Sequence, residues 1–137
     1  MAVHNSPAAP ATRGRTVNIT LWVVQVLVAV FFVAAAAAPK LIGQQVAVEM
    51  FDLIGFGQWF RYLVGTLELA GAIGLLIPRL AGLAALGLIG VMVGAVITQL
   101  LVPEVVGPVL TPALLGVVLA LIVWGRWPQT KALVGTR

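Results

Sequence analysis

The sequence predicts an all-α membrane protein: a four-helix transmembrane bundle with a short amphipathic interfacial helix between spans 1 and 2. Of the 137 residues, 61% are hydrophobic and only 9% are charged, and the mean hydropathy is +1.12. Soluble domains carry about 25% charged residues. So few charges do not cover a water-facing surface, and most of the outer surface is therefore expected to face lipid.

Four apolar runs have the length of membrane spans, since about 20 helical residues cross the hydrocarbon core. The runs cover residues 19–38, 59–77, 80–101 and 109–124. Pro39 and Lys40 are expected to end span 1, and Pro78 and Arg79 span 2. The start of span 4 stays open, because Thr111-Pro112 fits either a helix N-terminus or a kink after an earlier start.

The ends of the chain differ in composition from these runs. Residues 1–16 are predicted to be a disordered N-terminal tail, residues 17–125 the four-span membrane domain, and residues 126–137 a polar C-terminal tail. Span 1 also resembles a signal peptide, with Arg13 and Arg15 before it and alanines at its end. Signal h-regions have only about 7–15 residues, which favours a retained helix.

Residues 41–58 contain an amphipathic helix of about three turns. Its apolar stripe is Val46, Ala47, Met50, Leu53 and Ile54, and its polar stripe is Gln45, Glu49 and Asp52. A helix this short and charged is expected to lie in the interface or over the bundle, ending at Gly55 and Gly57. Two interpretations remain: a packing cap on the bundle, and a substrate lid or docking surface.

The basic residues predict the orientation. The N-tail, the loop after span 2 and the C-tail share one side, which holds Arg13, Arg15, Arg79, Arg126, Lys131 and Arg137. The other side holds only Lys40 and Arg61. Cytoplasmic segments carry an excess of Lys and Arg, so both termini are expected to be cytoplasmic.

Stripes of small residues predict how two spans pack. Ala70 and Gly74 in span 2, and Gly90 and Gly94 in span 3, recur at four-residue spacing. Helices in lipid associate through close contact of such residues. The two stripes are therefore expected to face each other.

Glu68 is the most informative single residue, because it lies about 13 Å along span 2 from Trp59. A charge at that depth costs about 2.5–3.5 kcal/mol and usually pairs with another group. Arg61, two turns earlier, and Lys40 are the candidate counter-charges, and Gln99 is a further polar neighbour. These four residues are predicted to form an intramembrane polar cluster. A structural ion pair and a binding site are both consistent with it.

Missing residue types exclude several kinds of chemistry. The chain has no Cys, and its single His is His4 in the N-terminal tail. Disulfides, thiolate metal sites and a bis-histidine haem are therefore excluded. We assign no catalytic residue and no metal site, and we expect no cofactor other than a quinone. The basic residues lie at span ends, which argues against nucleic-acid binding.

Several segments resemble the DoxX-like family of small four-span bacterial membrane proteins. They are residues 37–41 (AAPKL), 57–62 (GQWFRY), 65–72 (GTLELAGA) and the third span from LAGL at 80–83 to GAVITQ at 94–99. The resemblance covers roughly residues 20–125. It implies four spans in a bacterial cytoplasmic membrane and marks Lys40, Arg61 and Glu68 as characteristic positions. Members often carry His where this chain has Gln99, so a role that needs an imidazole is not expected here.

Three functions are consistent with these features. The first is a non-enzymatic subunit or accessory factor of a membrane complex, since the resemblance implies an association with quinone-linked redox complexes. The second is a quinone-interacting oxidoreductase component, which would need another subunit to carry electrons. The third is a small transporter or lipid-handling protein, which would need a homo-oligomer. The expected partners are the lipid bilayer and other membrane subunits or further copies of the chain.

Overall fold

The structure is a computed structural model that describes residues 14–102 and 110–134, and these residues form helices and connecting turns. The elements are α1 (Arg15–Phe31), a π-helical turn (Phe32–Ala37), α2 (Ala38–Ile42), α3 (Gln45–Ile54), α4 (Gln58–Leu75), α5 (Ala81–Leu101), α6 (Leu110–Gly125) and α7 (Trp127–Val134). Apart from its last residues, which begin α1, the predicted N-terminal tail lies outside the described residues.

Two of the described helices are long and apolar enough to cross a membrane on their own. They are the continuous helix Arg15–Ile42, of 28 residues, and α5, of 21 residues. Helices α6 and α7 add a third span if the pair, bent by 69°, is counted as one. Helix α4 is more polar, because it contains Gln58, Arg61 and Glu68. By length and composition the described residues therefore supply two or three spans.

Pro39 does not end the first helix, contrary to the sequence prediction. The helix continues to Ile42 and ends at Gly43, whose φ of 77° is the left-handed conformation typical of helix ends. A proline inside an α-helix removes a donor and crowds the carbonyl four residues earlier. The π-helical turn directly before Pro39 changes the hydrogen-bond register there, which allows the helix to continue.

The four longest helical segments pack side by side around one apolar core. The core is centred on the fully buried side chains Phe32, Leu75, Leu88, Leu119 and Ile122. Helix α1 contacts α4 and α6, and α5 lies between α4 and α6. Large apolar side chains also cover the outside, among them Leu27, Ile42, Leu100 and Leu101. An outer surface of this kind is suited to lipid.

The close contact between α4 and α5 uses different small residues from those predicted. A Cβ added at Gly71 would lie 2.5 Å from Leu88, and one at Gly74 would lie 2.7 Å from the Ala84 Cβ. Gly74, one of the residues predicted to pack these helices, therefore lies in this contact.

Ala70, Gly90 and Gly94, which were also predicted to pack these helices, are exposed. No described neighbouring atom lies within 4 Å of a Cβ added at Gly90 or Gly94. Four-residue spacing fixes a helix face, but it does not say which face meets the neighbouring helix. The contact runs along the adjacent face of each helix.

The predicted amphipathic helix is α3, and Gly55 ends it with a φ of 89°. Its inner face is narrower than predicted: Ala47 and Phe51 are buried, whereas Val46 and Leu53 are exposed. Phe51 packs edge-on against Phe60 of α4, with ring centroids 5.8 Å apart. Helix α3 therefore lies over one end of the bundle.

The segment predicted as a polar C-terminal tail contains α7. Thr130 on this helix is buried, and its Oγ1 lies 1.7 Å from the position that a Cβ at Gly82 would occupy. Helix α7 therefore packs on the start of α5. The described part of span 4 begins at Leu110, and residues 103–109 before it lie outside the described residues.

Candidate functional site

The carboxylate of Glu68 forms an ion pair with Lys40. Lys40 Nζ lies 2.9 Å from Glu68 Oε1, and the Glu68 side chain is only 3% exposed. Lys40 Nζ also donates a hydrogen bond of 3.1 Å to the Ala36 carbonyl. Gly65 allows this approach, because a Cβ there would lie 3.0 Å from Lys40 Cβ. The pair therefore joins α2 to the middle of α4.

Arg61 lies close by but does not pair with Glu68. Its guanidinium donates hydrogen bonds to Gln58 Oε1, at 2.6 Å, and to the Lys40 carbonyl. It also lies over the Tyr62 ring, 4.2 Å from the centroid. The last carbonyls of a helix have no partner within the helix and attract cations. Arg61 therefore caps the C-terminal end of α2 and fixes the backbone that carries Lys40.

Gln58 extends this network to α3. Its Nε2 donates to Asp52 Oδ1 at 2.8 Å and to the Val48 carbonyl at 3.0 Å. Asp52 and Arg61 are thus linked through one amide side chain. Sequence analysis missed this role of Gln58, although its position three residues before Arg61 places both on one helix face. The network holds α3 in place above the ion pair.

A cavity of about 490 Å³ lies between α3, α4 and α5. Its polar lining residues are Lys40, Glu68, Thr98 and Gln99, and its other lining residues are apolar or glycine. Gly90 and Gly94 line it as well, so the stripe predicted to pack helices forms part of a cavity wall. The result is an apolar chamber with a few polar groups at one place.

A second cavity, of about 280 Å³, lies on the other side of the ion pair, toward α1 and α6. Both cavities are lined by Lys40, Glu68, Ala95 and Gln99. Three of the four predicted cluster residues are therefore brought together, and Arg61 supports them from the end of α2. The ion pair separates two apolar spaces.

The model of the DoxX-like family matches residues 23–123 of the chain. The chain belongs to the DoxX-like family. No significant match is found among the curated proteins or the solved structures. With its family and its apolar helices, this DoxX-like chain is a membrane protein. The matched range includes every residue of the ion pair and of the network around Arg61.

This DoxX-like chain also has a second polar cluster, around Gln25 of α1. The Nε2 of Gln25 donates an interhelical hydrogen bond to the Leu75 carbonyl at 2.7 Å. Its Oε1 accepts from Arg126 Nε at 2.6 Å. The role of Arg126 was missed, because a basic residue just after a span usually indicates a membrane anchor.

Proposed function

We propose that this protein is a non-enzymatic membrane subunit or accessory factor that binds a neutral, lipid-soluble molecule, with a quinone as the ligand. The observation that carries the proposal is the apolar cavity beside the Lys40–Glu68 pair. Binding sites for small molecules are typically apolar cavities of about 300–1,000 Å³ with a few polar groups that fix orientation. The cavity has this size and this distribution of groups.

The charges at the cavity favour a neutral ligand over an anionic one. Lys40 and Glu68 are the charged residues that line it, and they neutralise each other. A phosphate head group would need a cation that is not already paired. Quinone carbonyl oxygens are neutral acceptors, and the Lys40 ammonium and the Gln99 amide are suitable donors. The isoprenoid tail would extend past Gly90 and Gly94 toward lipid.

A partner is also part of the proposal. The chain has no Cys, and its single His is His4, so it offers no thiolate or paired histidine to hold an electron carrier. A subunit that binds quinone would then work beside another subunit that carries electrons. Helix α3, which holds Glu49 and Asp52 on its exposed face, is the surface proposed for that contact.

The proposed arrangement in the membrane has four spans, with both termini on the cytoplasmic side of a bacterial membrane. Helix α4, of 18 residues, is about 27 Å long, and α6, of 16 residues, is about 24 Å long. These lengths approach the 30 Å of a hydrocarbon core. Pairing of Glu68 with Lys40 lowers the cost of placing α4 in lipid.

Binding of a short-chain quinone to the purified protein in detergent tests the proposed ligand. We expect saturable binding by calorimetry, weakened about tenfold or more by Gln99→Leu or by Lys40→Met/Glu68→Gln. Each variant removes one proposed donor, and a lost hydrogen bond to a charged or buried group costs about 1.5–3 kcal/mol. Glu49→Gln is the matched control, since Glu49 is exposed and bonds only Gln45 among the described residues. Unsaturable uptake, or equal binding by all variants, would refute a quinone site here.

A further inference from the structure

Another cavity, separate from the two beside the ion pair, lies at the opposite end of the bundle. It is formed where the start of α1 meets the bend between α6 and α7. Its volume is about 490 Å³, and its polar lining includes Arg15, Asn18, Arg126 and Gln129. Gly125 brings the two helices together, because a Cβ there would lie 2.6 Å from Leu21. The bend of 69° after α6 then places Arg126 on the cavity wall.

Arg126 is held in a fixed position on that wall. The residue is only 5% exposed. Its Nε donates to Gln25 Oε1 at 2.6 Å, and its Nη1 donates to Asn18 Oδ1 at 2.8 Å. The guanidinium also lies 5.4 Å from the centroid of the Trp22 ring. These contacts fix the position of the guanidinium, and with it a positive charge, beside the cavity.

The charge at this end of the bundle is positive. Arg15 and Arg126 line the cavity together, and the start of α1 adds the positive end of a helix dipole. Of the acidic side chains of the described residues, Glu49 and Asp52 lie at the other end, and Glu68 is paired with Lys40. Arg15 lies about 37 Å along one helix from Lys40, the partner of Glu68. At this distance the Glu68 carboxylate does not neutralise the charge of the basic cavity.

We propose that this cavity binds a phosphate group, carried by an anionic lipid or present as the free ion. Guanidinium groups match phosphate geometry through paired hydrogen bonds. Basic cavities between membrane helices bind anionic head groups in this way. The site differs in ligand from the first cavity, where the charges cancel, and it does not depend on the proposed quinone site.

Lipid retention and thermal unfolding of the purified full chain test this proposal. Native mass spectrometry should show one phosphatidylglycerol retained per chain in preference to phosphatidylcholine, and added phosphatidylglycerol should raise the Tm. Arg15→Gln should weaken the effect about tenfold, as expected for one lost charge-assisted hydrogen bond.

Arg79→Gln is the matched control, because Arg79 carries the same charge on the turn before α5, outside the cavity. A third arm uses inorganic phosphate: a rise in Tm that depends on Arg15 but not on Arg79 identifies the free ion as a source. The proposal is overturned if neither phosphatidylglycerol nor phosphate acts more strongly than phosphatidylcholine. It is equally overturned if Arg79→Gln weakens binding as much as Arg15→Gln.

Discussion

The charge of Glu68 is balanced by the ammonium group of Lys40, 2.9 Å away. Both charges leave water when the helices pack, and each then depends on the other. Removing one partner of a buried pair costs about 3–5 kcal/mol, because the remaining charge has no counter-charge. Replacing both partners by uncharged residues is often far less costly. The stability of single and double variants therefore reports on this pair.

We expect Lys40→Met to lower the Tm in detergent strongly, because it leaves Glu68 buried without its cation. The double variant Lys40→Met/Glu68→Gln should recover most of the loss, since it removes both charges. Thermal unfolding followed by circular dichroism measures both effects. If the double variant is less stable than Lys40→Met, the ion pair does not couple these two positions.

The sequence indicated Glu68 and two candidate counter-charges, Arg61 and Lys40, but not which of the two pairs with it. Arg61 shares the helix face of Glu68, yet Lys40 forms the ion pair. Side chains in helices lean toward the N-terminus, so Arg61 reaches away from Glu68 and toward the carbonyls at the end of α2. Lys40 comes from another helix, and its direction depends on how that helix packs. Spacing along one helix does not contain this information.

At the scale of elements, the contact between α4 and α5 depends on backbone approach. Gly74 and Ala84 meet where a Cβ on Gly74 would come within 2.7 Å of the Ala84 Cβ. Gly90 lies elsewhere on α5, with open space around it. Gly90 lies in the middle of α5, whereas Gly74 lies in the last turn of α4. Their surroundings therefore differ together with their positions in the helix.

Gly74→Ala should therefore destabilise the protein by about 1–3 kcal/mol, because the helices must move apart. Gly90→Ala should be neutral or stabilising by up to about 1 kcal/mol, since alanine favours a helix over glycine. Chemical unfolding in mixed micelles provides the comparison. Equal stability of the two variants would contradict the close contact at Gly74.

Element boundaries followed from composition wherever a polar break separated two apolar runs. The predicted runs 59–77, 80–101 and 109–124 correspond to α4, α5 and α6 within two residues. The prediction of a helix end at Pro39 was wrong, because it assumed regular α-helical hydrogen bonding before the proline. Helix α7 was missed because its short sequence of mixed polarity is typical of a tail. Its packing depends on the contact of Thr130 with Gly82, which lies far away in the chain.

At the scale of the whole molecule, the two ends of the bundle differ in charge. One end holds the acidic groups of α3 and the network around Arg61, and the other holds Arg15 and Arg126. This asymmetry was visible in sequence as a bias of basic residues, six on one side and two on the other. The cavities were not visible, because their walls are built from residues distant in the chain.

An alkaline phosphatase reporter attached after Lys131 should be inactive, because that end is proposed to be cytoplasmic. The same reporter inserted after Gly55, between α3 and α4, should be active. Activity measured in whole bacterial cells distinguishes the two positions. High activity after Lys131 together with none after Gly55 would reverse the proposed orientation. Equal activity at both positions would contradict the three crossings, by α4, α5 and α6, that are proposed between them.

The π-helical turn at Phe32–Ala37 makes the first helix sensitive to length. A π turn accommodates one residue more than an α turn. Loss of a single alanine from this run would restore regular winding without rotating the residues after it, but it would also remove the register shift before Pro39. Pro39 would then crowd the carbonyl four residues earlier, and the helix would kink or end before Lys40. The number of residues in this run therefore decides whether Lys40 is carried to Glu68 on a continuous helix.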